Sequence, residues 1–188
     1  MKDFKVVDLI LGKEKEMVMA RGAKPSEFKA FSKALQDAIS VYCQQGGNIL
    51  ITGAYVGTDL WDNPRATKAE REWATNTLKF IWRNDAGAVT GRVKAVASPF
   101  ESFAGSFNYF NELNSDSYVV ERPDAIEPAG TDSYTIFRYS ENDLSAGVAY
   151  KGDYSACVLG VPFEAIKPEK RNALMNGILT FFEQKITK

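Results

Sequence analysis

Gly46-Gly47-Asn48-Ile49-Leu50-Ile51-Thr52-Gly53-Ala54-Tyr55-Val56-Gly57-Thr58-Asp59-Leu60-Trp61 is the stretch whose reading decides the fold. Asn48 to Gly53 is a short apolar run between glycines, the pattern of a strand buried on both faces. The residues ahead of it read as a helix. Phe28, Phe31, Leu35, Ala38 and Tyr42 recur at helical spacing, with Lys29, Lys33, Gln36 and Asp37 between them. Pro25-Ser26-Glu27 opens that helix with Ser26 as its N-cap, and Gln44-Gln45-Gly46-Gly47 closes it. Helix, glycine pair and buried strand in this order predict a parallel αβ unit. Ligands of open parallel sheets sit beyond the carboxyl ends of the strands, so the loop from Gly53 to Trp61 is the first place to look for a site.

Upstream, Val6-Val7-Asp8-Leu9-Ile10-Leu11-Gly12 reads as a buried strand that stops at a glycine. Downstream, Thr67 to Leu78 reads as a second helix capped by Thr67, with Ala69, Trp73 and Leu78 facing inward. Lys79-Phe80-Ile81-Trp82 either ends that helix or begins a strand, and Gly91 to Val96 alternates as an edge strand does. Ser98 to Asn114 carries Phe100, Phe103, Phe107, Tyr109 and Phe110 and reads as an aromatic-pinned loop over the sheet. Strand patterns follow at Tyr118–Glu121, Tyr134–Tyr139, Ala146–Tyr150 and Ser155–Gly160, the last two joined by the turn Lys151-Gly152-Asp153. Pro168-Glu169 opens a final helix with Leu174, Ile178, Phe181 and Phe182 as its apolar stripe. The expected fold is α/β: a three-layer sandwich with a mostly parallel sheet flanked by helices, and extra strands or a hairpin in the C-terminal half. One domain spans residues 1–188.

Of 188 residues, 45% are hydrophobic, and 23 basic residues nearly balance 24 acidic ones. This composition excludes a disordered chain, and the charge balance removes the electrostatic case for nucleic acid. The chain has no histidine. Ser-His-Asp and Cys-His catalysis and His-ligated zinc are therefore excluded within it. The first residues lack the pattern of a signal peptide, and no run of about 18 apolar residues exists to span a membrane. Neither G-x-x-x-x-G-K-[ST] nor G-x-G-x-x-G occurs, and no cofactor is implied. Cys43 and Cys157 read as buried small hydrophobes, and their spacing leaves open whether they are bonded.

Two local patterns resemble the class I glutamine amidotransferase-like family, which has a flavodoxin-like fold. Active members end a strand in G-x-C-x-G, with the cysteine on a sharp elbow. Here Gly53-Ala54-Tyr55-Val56-Gly57 keeps both glycines and has Tyr55 in the cysteine's place. Active members carry a histidine after a late strand. Here Leu159-Gly160-Val161-Pro162-Phe163-Glu164 fills that stretch and Glu164 is next in line. Residues 46–61, Pro123–Pro128, Phe137–Asn142, Ser145–Tyr150 and Val158–Glu164 are also similar to a module of secreted Bacteroidetes proteins. Those proteins are labelled xanthan lyase or N-acetylmuramoyl-L-alanine amidase-associated. The resemblance implies a non-catalytic accessory domain of a larger secreted, glycan- or cell-wall-related protein, outside the cytoplasm. Its partners would be neighbouring domains and a carbohydrate or cell-wall fragment, and a first strand or partner domain is implied upstream of Met1.

The candidate ligand-binding residues are Gly53, Ala54, Tyr55, Gly57, Asp59 and Trp61. Backbone N–H groups of Gly53, Ala54 and Gly57 would cup an anion or a sugar hydroxyl. Asp59 would accept hydroxyl hydrogen bonds and Trp61 would stack on a pyranose, unless Tyr55 and Trp61 simply plug the pocket. Tyr55 and Glu164 are the catalytic candidates. A tyrosine with a pKa of ~10 and no base is a poor acyl-transfer nucleophile. A competing reading is a polysaccharide hydrolase or lyase built on Glu164, Asp59 and Tyr55, since paired carboxylates work without histidine. Glu141 and Asp143 are further carboxylates for such a pair with Glu164. Asp59 and Asp62 would suit calcium, without EF-hand-like spacing. A structural dimerisation module is a third reading.

Overall fold

The parallel unit at the start of the chain forms as the sequence predicts. Strand β1 (Val6–Gly12) lies parallel to β2 (Asn48–Gly53), in register from Val6 against Asn48 to Ile10 against Thr52. Helix α1 (Lys33–Gln44) connects them. The computed structural model describes residues 1, 3–16, 29–98 and 103–184. Ser26 and Phe28 lie outside these residues. Within them, α1 starts later than its periodicity suggests, and Ser32 is its N-cap, accepting from Leu35 N–H at 3.3 Å. Gly46 closes it with a positive φ of 80°, a conformation that glycine adopts without penalty.

Beyond β2 the expectation of a mostly parallel, helix-flanked sandwich is corrected. The elements that follow are α2 (Thr58–Trp61) and α3 (Lys68–Trp73), which widens into a π-turn over Ala74–Leu78. Strands β3 (Phe80–Asn84), β4 (Arg92–Ala95), β5 (Ser106–Asn108), β6 (Ala125–Pro128), β7 (Ser133–Tyr139), β8 (Ser145–Lys151) and β9 (Ser155–Leu159) come next. A short 3₁₀ turn (Phe163–Ala165) leads to α4 (Pro168–Glu183). The main sheet has seven strands in the order β1-β2-β9-β8-β7-β4-β5. Only β1/β2 and β2/β9 are parallel, and the pairs from β9 outward to β5 are antiparallel. Strands β3 and β6 form a separate antiparallel pair. The result is a mixed, curled half-barrel in which strand outweighs helix, and it is not a flavodoxin-like sheet.

The misleading signal is burial. All five residues of β9 and six of seven in β8 are buried, the continuous apolar run expected of parallel strands. Here the run arises because both faces of an antiparallel hairpin are covered. On one side Ile39, Tyr42 and Cys43 of α1 pack with Ile49, Ile51, Ala156 and Val158. On the other, Leu174, Ile178 and Phe181 of α4 pack with Leu50, Cys157 and Leu159. The turn after Lys151 makes β9 return against β8, so β9 reaches β2 through a hairpin without a crossover helix.

Other expectations change locally. Thr67 caps α3, and its partner Glu70 completes a reciprocal capping box, but Ala69 is exposed and Ala74 is the buried alanine. Residues 80–82 begin β3, after Lys79 turns the chain with a φ of 65°. Strand β4 is internal, because the aromatic segment supplies β5 at the edge. Phe103, Phe107, Tyr109 and Phe110 of that segment are buried; Phe100 lies outside the described residues. Residues 118–121 are not a strand.

Candidate functional site

The loop after β2 forms a tight elbow, and its donors are already used. Ala54 N–H donates to the Gly12 carbonyl at 2.8 Å, and the Ala54 carbonyl accepts from Asp124 N–H at 2.9 Å. Gly57 N–H and Thr58 N–H both donate to Asp124 Oδ2, at 2.6 and 2.8 Å. The Thr58 hydroxyl and Trp82 Nε1–H donate to Asp124 Oδ1. The concavity that was expected to hold an anion therefore holds one: a carboxylate of the same chain. Asp124 is fully buried. Burial pushes its carboxyl up to about 7, while the Thr58, Gly57 and Trp82 donors pull it down.

Close packing fixes this arrangement. A Cβ on Gly57 would come within 2.5 Å of Trp82 Cδ1, and a Cβ on Gly160 would collide with the Asp124 carbonyl. Tyr139 donates its hydroxyl to that carbonyl at 2.7 Å. Four parts of the molecule converge here: the β2 elbow, β3 through Trp82, the start of β6, and β7 through Tyr139. In the sequence Asp124 stands within Pro123–Pro128 with no motif to mark its role. It stands 67 residues from Gly57, and no local spacing links the two. The only local hint is a charged residue directly before the apolar start of a strand.

The remaining candidates scatter. Gly53 is buried at the end of β2, with Leu11 and Val56 against it. Tyr55 is half-buried, with the Lys15 ammonium 4.3 Å from its ring centroid. Burial raises its hydroxyl pKa, the opposite of what a nucleophile or base needs. Trp61 packs its ring against Phe80, with centroids 5.7 Å apart. Asp59 is buried and tied down: Oδ1 accepts from Glu16 N–H and Asn63 Nδ2, and Oδ2 accepts from Ala30 N–H. It holds the chain on either side of residues 17–28 to α2. An open cleft of about 320 Å³ lies alongside, bordered by Lys15, Glu16, Asp59, Asp62 and Asp85. Among the described residues no group of three His, Cys, Asp or Glu is placed to hold a metal.

Glu164 sits elsewhere, beside the end of β1. Its Oε1 accepts from the Tyr118 hydroxyl at 2.5 Å and would lie 3.2 Å from a Cβ on Gly12. Its Oε2 is buried and has no hydrogen-bond partner among the described residues. No hydrogen bond links it to Asp59 or Tyr55. Glu141 accepts from Val89 N–H and Thr90 N–H, and Asp143 pairs with Lys94 at 2.6 Å. Neither forms a pair with Glu164. Both cysteines are free and buried. Burial pushes the Cys43 thiol up to about 11 and raises Cys157 further, so neither is a thiolate at neutral pH.

No family model and no curated protein matches this chain. The glutamine amidotransferase-like and flavodoxin-like reading is corrected by the mixed sheet and by a solved structure of similar fold, and nothing supports the xanthan lyase label. Among the described residues no helix is long and apolar enough to cross a membrane. Among solved structures the fold is similar to that of the mmIFT52 N-terminal domain, at 13% identity and a TM-score of 0.53, over 84% of this chain and 74% of that one.

Proposed function

We propose that this chain is a non-catalytic interaction domain, a rigid module that presents surfaces to other polypeptides. One observation carries the reading: the Asp124 carboxylate occupies the donors at the carboxyl end of β2, where a mixed or parallel sheet would offer its ligand site. The residues around it agree. Tyr55 has no base, Asp59 is spent on fixing the loop, and both thiols are buried. The structural neighbour is by its title one terminal domain of a protein, a setting in which such a module has partners to bridge.

Two measurements test this. Polysaccharide and muropeptide fragments incubated with the purified chain should show no turnover above a blank. Turnover that Tyr55→Phe abolishes would overturn the reading. Inorganic phosphate titrated into ¹⁵N-labelled protein should leave the Gly57 and Thr58 amide signals in place. A saturable shift of both would mean that the elbow binds external anions.

A further inference from the structure

Strand β1 ends the seven-stranded sheet, and among the described residues its ladder is hydrogen-bonded on one side only, to β2. Such an edge presents a row of unpaired N–H and C=O groups. Proteins usually guard these edges with lysine, proline or a bulge. Val6-Val7-Asp8-Leu9-Ile10-Leu11-Gly12 contains no lysine and no proline; it pairs regularly with β2 from Val6 to Ile10, and its register shifts only at the end of the ladder, between Ile10 and Gly12. Exposed apolar side chains gather around it. Among the described residues nine large hydrophobics are exposed, and Met1, Phe4, Ile10 and Val41 are four of them. Met1 and Val41 also border an open apolar groove along α1.

The one charge in the strand is Asp8, whose side chain is exposed to solvent. Partial desolvation in the strand and the Glu164 carboxylate both raise its pKa. Among the described residues neither Asp8 nor Glu164 has an ion-pair partner. Glu164 Oε2 is buried with no donor among the described residues. Two carboxylates without an ion-pair partner among the described residues, one of them exposed on the strand itself, give the edge an acidic character that suits a strand carrying cations. They also disfavour a second copy of this chain, because self-pairing along β1 would bring two such acidic pairs to one seam.

We propose that the free edge of β1 docks an extended segment of a partner polypeptide as an eighth strand, with basic side chains on the side that meets Asp8 and Glu164. The main-chain ladder supplies the grip and the carboxylates supply the selectivity, the division of labour in strand addition. This inference deepens the interaction reading and rests on it.

The test uses two blocked heptapeptides, one alternating lysine with valine and one alternating glutamate with valine. Binding is read by fluorescence anisotropy, and docking is located by amide hydrogen exchange. The lysine peptide should bind at least about tenfold more tightly than the glutamate peptide, a difference of ~1.4 kcal/mol. It should slow exchange in β1. In the Asp8→Asn/Glu164→Gln double variant the two peptides should bind alike, and N-methylation of alternate peptide nitrogens should abolish binding. Equal affinities for wild type, or binding without protection in β1, would overturn the proposal. So would a dimer in sedimentation equilibrium that Ile10→Lys dissolves, since the occupant would then be a second copy. A negative result leaves the self-occupied elbow untouched, because that claim is read from Gly57 and Thr58.

Discussion

Two acidic sites at the ends of neighbouring strands are built in opposite ways. Asp124 at the β2 elbow is fully buried and receives four donors. Asp8, exposed on β1, and Glu164, beside the end of β1, have no ion-pair partner among the described residues, and one Glu164 oxygen has no donor among them. The first site is closed: every group has a partner within the chain, and removing one leaves buried orphans. The second is open: its charges repel and its backbone edge is unpaired. A closed acid contributes to folding, whereas an open acid is tolerated by folding and is available to a partner.

The largest break in this comparison is Asp124→Ala. It strands Gly57 N–H, Thr58 N–H and Trp82 Nε1–H in the interior and should cost about 3 kcal/mol, or roughly 9 °C in Tm for a chain of this size. Urea or thermal unfolding measures it, and a loss below about 1 kcal/mol would contradict the closed reading. Next comes Gly57→Ala. Its Cβ would press into Trp82, and because the elbow is pinned from four directions it should lose about 2 kcal/mol. A neutral result would show that the elbow relaxes.

The pH dependence sharpens the same contrast. The folded Asp124 carboxyl is pushed up to about 7, above the ~3.9 of an unfolded aspartate. Between those values the folded chain holds a proton that the unfolded chain has lost. Its contribution is therefore fully present below about pH 4 and is lost as pH rises through about 7. Denaturation midpoints of wild type should fall over that window, and Asp124→Ala should remove this part of the slope. The smallest effect is at the open site. Asp8→Asn removes a like charge beside Glu164 and should be neutral or stabilising by about 0.5 kcal/mol at low salt. A loss of more than about 1 kcal/mol would mean that Asp8 has a structural partner.

Much of the N-terminal fold was legible because its signals are local. The period of Phe31, Leu35 and Tyr42, the glycines after α1 and the apolar run at Asn48–Gly53 each report a structure a few residues long. The Lys151-Gly152-Asp153 turn was legible for the same reason, and β8 and β9 form the expected hairpin. Strand direction in the rest of the sheet was not. Burial on both faces of β8 and β9 reports how many layers cover a strand, and it is silent on whether the neighbour runs the same way. The sequence reads the elbow as a donor-rich turn from Gly53, Ala54 and Gly57; of these Gly57 N–H meets a carboxylate, joined by Thr58 N–H, while Ala54 N–H goes to the Gly12 carbonyl. What fills it was not legible, because Asp124 arrives from a distant segment and its neighbours Pro123 and Ala125 give no sign of it. The G-x-x-x-G spacing reads the same whether the turn serves a catalytic residue, an external anion or an internal carboxylate.

The central claim is that the elbow's donors belong to Asp124. An NMR pH titration that follows the Gly57 amide, the Thr58 amide and the Trp82 indole N–H tests it most directly. All three should shift together with one midpoint near 7, and the shared titration should vanish in Asp124→Ala. Signals that titrate separately, that keep their wild-type positions in Asp124→Ala, or that move only when phosphate is added would contradict it.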